Sequence, residues 1–540
     1  MELRAGFAFL LALFVSMLLV PPLVRVAGRL GLVDTGGGRK VHAGRVPRIG
    51  GIAIFIGFVV PVLLWTPLGP PMAAFVAAVV VLFGFGLLDD RFNLDYRLKL
   101  LGQLLAAAMV IFGADVVIQR LAFWPGGLLP DLIAVPLTLL VLAGVTNAVN
   151  LSDGLDGLAG GIGLLAVSGL LVLGVESDAG TLLIVLAALL GAILGFLRFN
   201  THPAQLFMGD AGSQLLGFTI GVLAVLITQR PSADLSPVLP LLVLGLPILD
   251  MLTVMFGRIA RGQSPFHADR THLHHRLLDA GLTQTEAVSL IYGLQFLLIL
   301  SAYLLRHAAD LLILLVALLA GGLLLIGLRF LEHHRAELRN RVLRQRPIDR
   351  IVGWLRRNRT LRLPLQVVSI VLPLFLMVGA LAVPVVGLDI GVLAATLVCA
   401  MLLALMIKPL PFIALERLSA YTLSLAVVYL LTGSTLATAC SPCLTLFYGA
   451  LVIAAAFWAW QSSKKWQVSS LDVLILLAAL VAPSLRGLGL AELGLVALQA
   501  VILFYGIEML LHSKDRDWDW LRGATLAGLA VLATRGMLSI

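Results

Sequence analysis

Apolar runs of about 20 residues repeat along almost the whole length of this chain. A bilayer core of roughly 30 Å requires about 20 residues of helix, and lipid offers no water to satisfy an open strand edge. Charged residues make up 12% of the sequence, against about 25% in soluble domains. The pattern predicts an all-α, polytopic integral membrane helical bundle and excludes a soluble enzyme, a disordered chain and a nucleic-acid-binding module.

An arginine-rich segment, 329–362, divides the runs into two groups. Eleven precede it, at 6–27, 49–69, 71–88, 100–118, 131–149, 157–176, 180–197, 212–229, 236–256, 285–306 and 308–329. Six or seven follow it, at 363–384, 386–407, 417–433, 443–460, 470–484, 488–511 and, least clearly, 521–538. The segment has eleven Arg and three acidic residues, which favours a linker or helix on the cytoplasmic membrane surface. We therefore expect a membrane domain over 1–328, this linker, and a C-terminal membrane region over 363–540.

Basic residues concentrate in the loops that follow odd-numbered spans. The loop after span one has five Lys and Arg residues, the loop after span nine has four, and the loop after span two has none. Positive charge in short loops marks the cytoplasmic side, so the N-terminus is predicted to face outward. Most polar groups also lie in odd-numbered loops, at 34–51, 89–99, 147–157, 198–213 and 258–276. One crowded face predicts a site that opens to the cytoplasm.

Three of these loops are rich in carboxylates. Asp89 and Asp90 end an apolar helix, where carboxylates are costly unless hydrated, paired or bound to a metal. The loop at 147–157 repeats Asn or Asp about every three residues among glycines, which suits Mg²⁺ with a phosphate completing its shell. Asp210 stands where a helix begins, so either the helix dipole or a metal accounts for it. Phe207 is available to stack on a base, although a lone loop Phe is more often core.

Two loops are basic. The first reads Asp34-Thr-Gly-Gly-Gly-Arg39-Lys40, and cations beside glycine backbone suit phosphate oxygens, although ordinary positive-inside charge is the simpler explanation. The loop at 258–276 has four of the ten histidines within nine residues. Zinc is one interpretation, but no cysteine is near and Arg270 and Arg276 flank the histidines. Binding of an anion is therefore favoured over a metal or a plain basic loop.

Acidic clusters for one divalent cation, basic clusters for phosphates and a membrane scaffold suit one kind of chemistry. They point to phosphoryl transfer between a soluble anionic donor and a lipid acceptor, a reaction that requires charge neutralisation and alignment. A lipid or sugar transporter is the distant alternative. Transporters place ionisable residues near the bilayer midplane, whereas here the carboxylates lie at one set of span ends.

Four motifs occur in a fixed order over about residues 1–335. They are Asp89-Asp90, Asn150-x-x-Asp153-Gly-x-Asp156-Gly-Leu-Ala, Phe207-Met-Gly-Asp210-x-Gly-Ser213 and His272-x-His274-His275. In order and spacing they resemble the polyprenyl-phosphate N-acetylhexosamine-1-phosphate transferases (glycosyltransferase family 4). The string Pro265-Phe-x-x-Asp269-Arg270-x-His272 is more similar to the branch that uses UDP-N-acetylglucosamine than to the branch that uses UDP-N-acetylmuramoyl-pentapeptide.

The resemblance implies a role for each of these residues. Asp210, with Asn150 and the donor's pyrophosphate, would hold Mg²⁺, with Mn²⁺ as the alternative ion, and Asp89 and Asp90 would carry the transfer step. The residues expected to bind the uridine are Asp153, Asp156, Asn200 and Phe207. The residues expected to bind phosphates or the amino sugar are Lys40, Arg270, His272, His274 and His275.

The resemblance also implies an activity and a place for it. N-acetylglucosamine-1-phosphate would pass from the UDP-sugar to undecaprenyl phosphate at the bacterial cytoplasmic membrane, among membrane lipids and in a monomer or homo-oligomer. UMP would leave, and the product would start a lipid-linked cell-envelope glycan such as a cell-wall polymer or the lipopolysaccharide O-antigen. Alternatives are another UDP-N-acetylhexosamine or UDP-N-acetylmuramoyl-pentapeptide. Residues 363–540 exceed the family core and have no expected chemical role.

Overall fold

Helices make up nearly all of the regular structure. The structure, a computed structural model, describes residues 2–34, 46–121, 124, 127–177, 179–229, 235–264, 271–334, 363–406, 412–432, 434–461, 469–481, 491–512 and 518–538. The strands among them are β1, Val33–Asp34, and β2, Val46–Pro47, which pair antiparallel. The all-α class is therefore confirmed. Two compact units are Met1–Val342 with Ser469–Leu474, and Leu343–Val468 with Ile475–Ile540.

The first unit contains the helices that precede the arginine-rich segment. They are α1 (Glu2–Leu30), α2 (Gly50–Trp65), α3 (Pro70–Phe92), α4 (Tyr96–Ala114), α5 (Asp131–Leu151), α6 (Leu158–Glu176), α7 (Thr181–Asn200), α8 (Gly209–Thr228), α9 (Pro240–Val243), α10 (Gly245–Ala260), α11 (Leu273–Asp279), α12 (Gln284–Leu304) and α13 (Asp310–His333). Nine of these are long and apolar enough to cross a membrane, and so are three helices of the second unit. The helices are therefore those of a multi-pass membrane protein.

Helix α8 is the centre of the first unit. Of the residues in its apolar window, 94% are buried, and it packs against α2, α3, α5 and α6. Small residues at Gly212, Gly217 and Gly221 let neighbouring helices approach closely. Its first turn therefore lies among the ends of the helices around it.

The predicted ninth span, 236–256, is not one continuous helix. It is divided into α9 and α10 at Leu244. Pro247 has no N–H to donate to the carbonyl of Val243, and the buried Gln295 of α12 takes over that bond, since its Nε2 donates to Val243 O at 2.7 Å. Its Oε1 also accepts from Leu246 N at 3.3 Å. One side chain thus satisfies the backbone groups that the break exposes.

The second predicted span is also shorter than expected. Helix α2 has 16 residues and ends at Trp65, where the sequence predicted an apolar span to 69. Thr66 and Gly69 have extended backbone, and Pro70 then starts α3 at a position that favours proline. Helix α2 therefore spans about 24 Å, which is less than a full bilayer core.

The second unit is built mainly from the helices after the arginine-rich segment. They are α14 (Leu363–Ala382), α15 (Leu388–Met406), α16 (Phe412–Leu431), α17 (Thr435–Ala439), α18 (Ser441–Gln461), α19 (Ser470–Val481), α20 (Ala491–His512) and α21 (Trp518–Leu538). Glu416 pairs with Arg522, and Glu508 pairs with Arg417 at 2.7 Å. These two ion pairs join α16 to α20 and α21. Each carboxylate near the end of a span is therefore neutralised by an arginine of a neighbouring helix.

Candidate active site

The two adjacent carboxylates at the end of α3 have different partners. Asp90 is buried, and its two oxygens accept from the backbone N–H groups of Asp210 at 2.8 Å and Ala211 at 3.0 Å. Asp90 thus binds the free amides at the start of α8. Gly209 lies directly before them with a φ of 74°, and a Cβ there would lie 2.5 Å from Asp90 Oδ2. Only glycine suits that position.

Asp89 faces the other way, as expected for neighbours about 100° apart on a helix. Its Oδ1 accepts from Leu94 N at 2.8 Å, and its Oδ2 lies 2.5 Å from Lys99 Nζ. The same ammonium group lies 3.7 Å from Asp210 Oδ2. Asp89 therefore holds a cation next to the carboxylate predicted to bind metal.

Asp210 is oriented by a side chain from α5. Asn150 Nδ2 donates to Asp210 Oδ1 at 2.6 Å and to Ser213 Oγ at 2.8 Å. Ser213 Oγ in turn donates to Gly209 O at 3.0 Å. Asp210 is thereby fixed between α5 and α4, with 30% of its side chain exposed.

The loops after α5 and α7 are fastened together by buried polar groups. Asn200 accepts from Gly157 N at 3.0 Å and donates to Leu206 O at 2.9 Å. Asp156 Oδ2 lies 2.7 Å from His202 Nδ1 and accepts from Ala204 N at 3.1 Å. These contacts show that Asn200 and Asp156 shape the wall of the site.

The start of α2 meets the same loops. Phe207 N donates to Pro47 O at 2.7 Å, and Gly50 N donates to Phe207 O at 2.9 Å. Arg48 follows Pro47 in the sequence and forms an ion pair with Asp34. Its Nε and Nη2 both donate to Asp34 Oδ2, at 3.2 Å and 2.7 Å. The short β1–β2 pair therefore supplies a cation to the site.

These elements enclose a cavity of about 300 Å³. The residues that line it are Asp34, Arg48, Asp90, Asn150, Asp153, Gly154, Leu155, Asp156, Asn200, Phe207, Gly209, Asp210 and His275. Eight of the predicted site residues are thus brought to one place. Asp89 lies beside it, through Lys99.

The histidines at the start of α11, which are His272, His274 and His275, separate into two kinds. Among the described histidines, only His275 lines the cavity. His272 and His274 are buried, and His272 Nδ1 lies 3.0 Å from Asp250 Oδ2. Burial, with His275 next to it, lowers the pKa of His274 to about 3, so that this ring is neutral at pH 7. Lys40 and Arg270 lie outside the described residues, as do 335–362 of the predicted linker.

The cavity carries an excess of negative charge. Among its described lining residues, five are carboxylates and one, Arg48, is a permanent cation. Buried charges in proteins are paired or coordinate metals, and Mg²⁺ needs only one or two protein carboxylates when phosphates complete its shell. No group of three His, Cys, Asp or Glu residues with metal-site spacing occurs in the described part of the chain. The donor set fits a divalent cation shared with phosphates better than one enclosed by protein.

The pKa of Asp153 is raised in this environment. Burial, followed by Asp210 and Asp90, raises its pKa from 3.8 to about 7. The folded protein therefore retains a proton that the unfolded chain has lost, and stability falls as pH rises from about 4 to about 7.

Asp153→Asn is expected to remove this pH-dependent destabilisation. Without divalent cations, the melting temperature of the variant relative to wild type should be higher at pH 8 than at pH 5. Tryptophan fluorescence during heating in detergent measures both proteins. Asp131→Asn, at the exposed start of α5, is the matched control and should show no such pH dependence. A difference for Asp153→Asn that is the same at both pH values would contradict the assignment.

Lys99 and Asp250 were not predicted as site residues. Lys99 reaches the site because only Asn93, Leu94 and Asp95 separate α3 from α4, which folds the first turns of α4 back onto the end of α3. A lysine shortly after a short turn that follows two carboxylates is the signal that could have found it. Asp250 lies within an apolar run, and no pattern distinguishes its burial.

Comparisons with known proteins show the family of this chain. The model of the family described as Glycosyl transferase family 4 matches residues 72–228. A probable undecaprenyl-phosphate N-acetylglucosaminyl 1-phosphate transferase of Bacillus subtilis is 36% identical over 310 residues, which cover 57% of this chain and 86% of that protein. The chain belongs to glycosyl transferase family 4.

Two further relatives match over a similar share of the chain. An undecaprenyl-phosphate alpha-N-acetylglucosaminyl 1-phosphate transferase of Yersinia pestis is 32% identical, over 49% of this chain and 75% of that protein. A decaprenyl-phosphate N-acetylglucosaminephosphotransferase of Mycobacterium tuberculosis is 34% identical, over 52% and 78%. All three matches cover roughly half of this chain.

Proposed function

We propose that this protein transfers N-acetylglucosamine-1-phosphate from UDP-N-acetylglucosamine to undecaprenyl phosphate and releases UMP. An oxygen of the acceptor phosphate bonds to the phosphorus that bears the sugar, and the bond from that phosphorus to the oxygen of UMP breaks. The names of the relatives support this donor and a polyprenyl-phosphate acceptor. The product would begin a lipid-linked cell-envelope glycan.

One observation carries the proposal. Asp210, Lys99 and Asp89 form a contiguous set of charges at a cavity that Arg48 also lines. Phosphoryl transfer depends on positioning and charge neutralisation, and this set provides a carboxylate for a cation and two cationic side chains for phosphate oxygens. A transporter has no evident use for such an arrangement at a helix end.

We assign Mg²⁺ to Asp210, with Asn150 as the residue that orients the carboxylate. When bound, the ion would neutralise charge on the donor's pyrophosphate. Lys99 contributes a further positive charge beside Asp210, and Asp89 holds it there. Asp90 aligns the start of α8, and therefore Asp210, through its bonds to two backbone amides.

The remaining wall residues suit the rest of the donor. Phe207 offers a flat face for the uracil, and Asn200 and Asp156 keep the adjoining loops in place. His275 is the histidine that faces the cavity, so it is the member of its motif that we assign to donor phosphates or sugar. Arg48 is a further cation that lines the cavity.

We place the site at the cytoplasmic face of the bacterial inner membrane, with the N-terminus outside. The excess of positive charge in the loops after odd-numbered spans supports this orientation. Cys440 and Cys443 follow an even number of predicted spans and are exposed. They are therefore predicted to lie on the outer face.

A membrane-impermeant maleimide is expected to label Cys440 and Cys443 in intact spheroplasts after treatment with an impermeant reductant. Replacing both with Ser should remove the signal and leave only what Cys399 contributes. Labelling that appears only after the membrane is permeabilised would reverse the proposed orientation.

The direct test is release of UMP by the purified full chain in detergent. UDP-N-acetylglucosamine, undecaprenyl phosphate and Mg²⁺ should all be required, and Asp89→Asn should lower the rate of release by up to about a hundredfold. Release with another UDP-sugar but not with this one would replace the donor and keep the reaction. No release with any UDP-sugar would overturn the proposal.

A further inference from the structure

Asp250 joins the broken helix to the loop that carries the histidine motif. It lies in α10, and its Oδ1 accepts from Leu273 N at 2.7 Å while its Oδ2 lies 3.0 Å from His272 Nδ1. Only 11% of the Asp250 side chain and 8% of the His272 side chain are exposed. A largely buried carboxylate with both oxygens engaged fixes the start of α11 and the direction of the His272 ring.

The contacts continue from His272 to the cavity. The rings of His272 and His274 are nearly parallel, with centroids 5.9 Å apart. The ring centroids of His274 and His275 are 4.2 Å apart. His275 lines the cavity. Three side chains, those of His272, His274 and His275, therefore connect Asp250 to the wall of the cavity.

His274 also presses against the opposite loop. A Cβ on Gly154 would lie 2.2 Å from His274 Nε2, so the ring occupies the space that any other side chain would need. Gly154 belongs to the loop between Asp153 and Asp156 and itself lines the cavity. Movement of His274 would therefore displace both walls.

We propose that Asp250 is a positioning residue for binding of the UDP-sugar donor. Through His272 it sets where His274 and His275 stand, and hence the width of the cavity between His275 and Gly154. The inference rests on the proposed function for the identity of the donor. Asp250 is remote from Asp89, Lys99 and Asp210 in this chain of contacts, so it should act on donor affinity more than on the transfer step.

Four variants of the full chain test the proposal, with UMP release measured against donor concentration. Asp250→Ala and His272→Ala should each raise KM for UDP-N-acetylglucosamine about tenfold, as is typical for loss of a supporting partner, and lower kcat less than threefold. The double variant should be no worse than Asp250→Ala alone, because each single substitution already removes the contact between Asp250 and His272. His272→Asn, which can still donate to Asp250 from the position of Nδ1, should restore KM to within about threefold of wild type.

Asp310→Asn is the matched control, because its carboxylate accepts from Ser236 near the start of α13, away from the described cavity. It should leave KM and kcat unchanged. The proposal is overturned if KM stays at the wild-type value, if the two single effects multiply in the double variant, or if kcat and melting temperature fall together as a purely structural role would require. Because wild-type activity establishes the proposed function separately, failure here is distinguishable from failure there.

Discussion

Asp210→Asn should lower the rate of UMP release by about a thousandfold or more. The substitution keeps the shape of the side chain and the acceptor for Asn150 Nδ2, and it deletes the charge that a cation needs. The residual rate should respond only weakly to Mg²⁺ concentration. Steady-state release at several Mg²⁺ concentrations measures both effects.

Asp131→Asn provides the control for this experiment. Asp131 is in the first turn of α5, just as Asp210 is in the first turn of α8, so both variants lose a carboxylate at a helix N-terminus. If the dipole interaction were the main role of Asp210, the two variants would behave alike. Activity of Asp210→Asn within a few-fold of wild type would overturn the metal assignment.

Lys99→Met should lower kcat by about a hundredfold, with a smaller change in KM. The variant keeps most of the apolar stem and removes the charge that lies between Asp89 and Asp210. Lys99→Arg keeps the charge but changes its shape, so it should recover part of the activity. The measurement is UMP release at saturating acceptor.

Arg97→Gln is the nearby control, because Arg97 is exposed on the same helix and bonds to Tyr96. It should retain activity close to wild type. Because Asp89 acts through Lys99, adding Asp89→Asn to Lys99→Met should cost little more than Lys99→Met alone. Independent, multiplying effects would show that Asp89 has a separate role.

The membrane class and the clustering of the site were predictable from periodicity. Span ends lie at one level of the membrane, so polar motifs that follow odd-numbered spans had to share a face. Eight of the residues named in advance do line one cavity. The separate partners of Asp89 and Asp90 also follow from the angle between neighbours on a helix.

The remaining features depend on distances that a linear pattern does not contain. His272 and His274 look equivalent to His275 in the sequence, yet packing against Asp250 and Gly154 buries them. The break at Leu244 could not be predicted because it depends on Gln295, about 50 residues later. Gln295 donates to the Val243 carbonyl that Pro247 leaves without a donor, and it accepts from Leu246 N. Long-range side-chain partners of this kind decide burial and helix continuity.

The central position of α8 has a consequence for biosynthesis. The ribosome completes α2, α3, α5 and α6 before the helix on which they pack exists, and Asp90 must wait some 120 residues for the amides it binds. Contacts so distant in sequence form late, because the entropy of closing the long loop is lost before the contact stabilises the fold. A nascent chain that ends before Gly209 therefore has inserted helices but no assembled cavity. We therefore expect the nascent enzyme to be most vulnerable to degradation until α8 has entered the membrane.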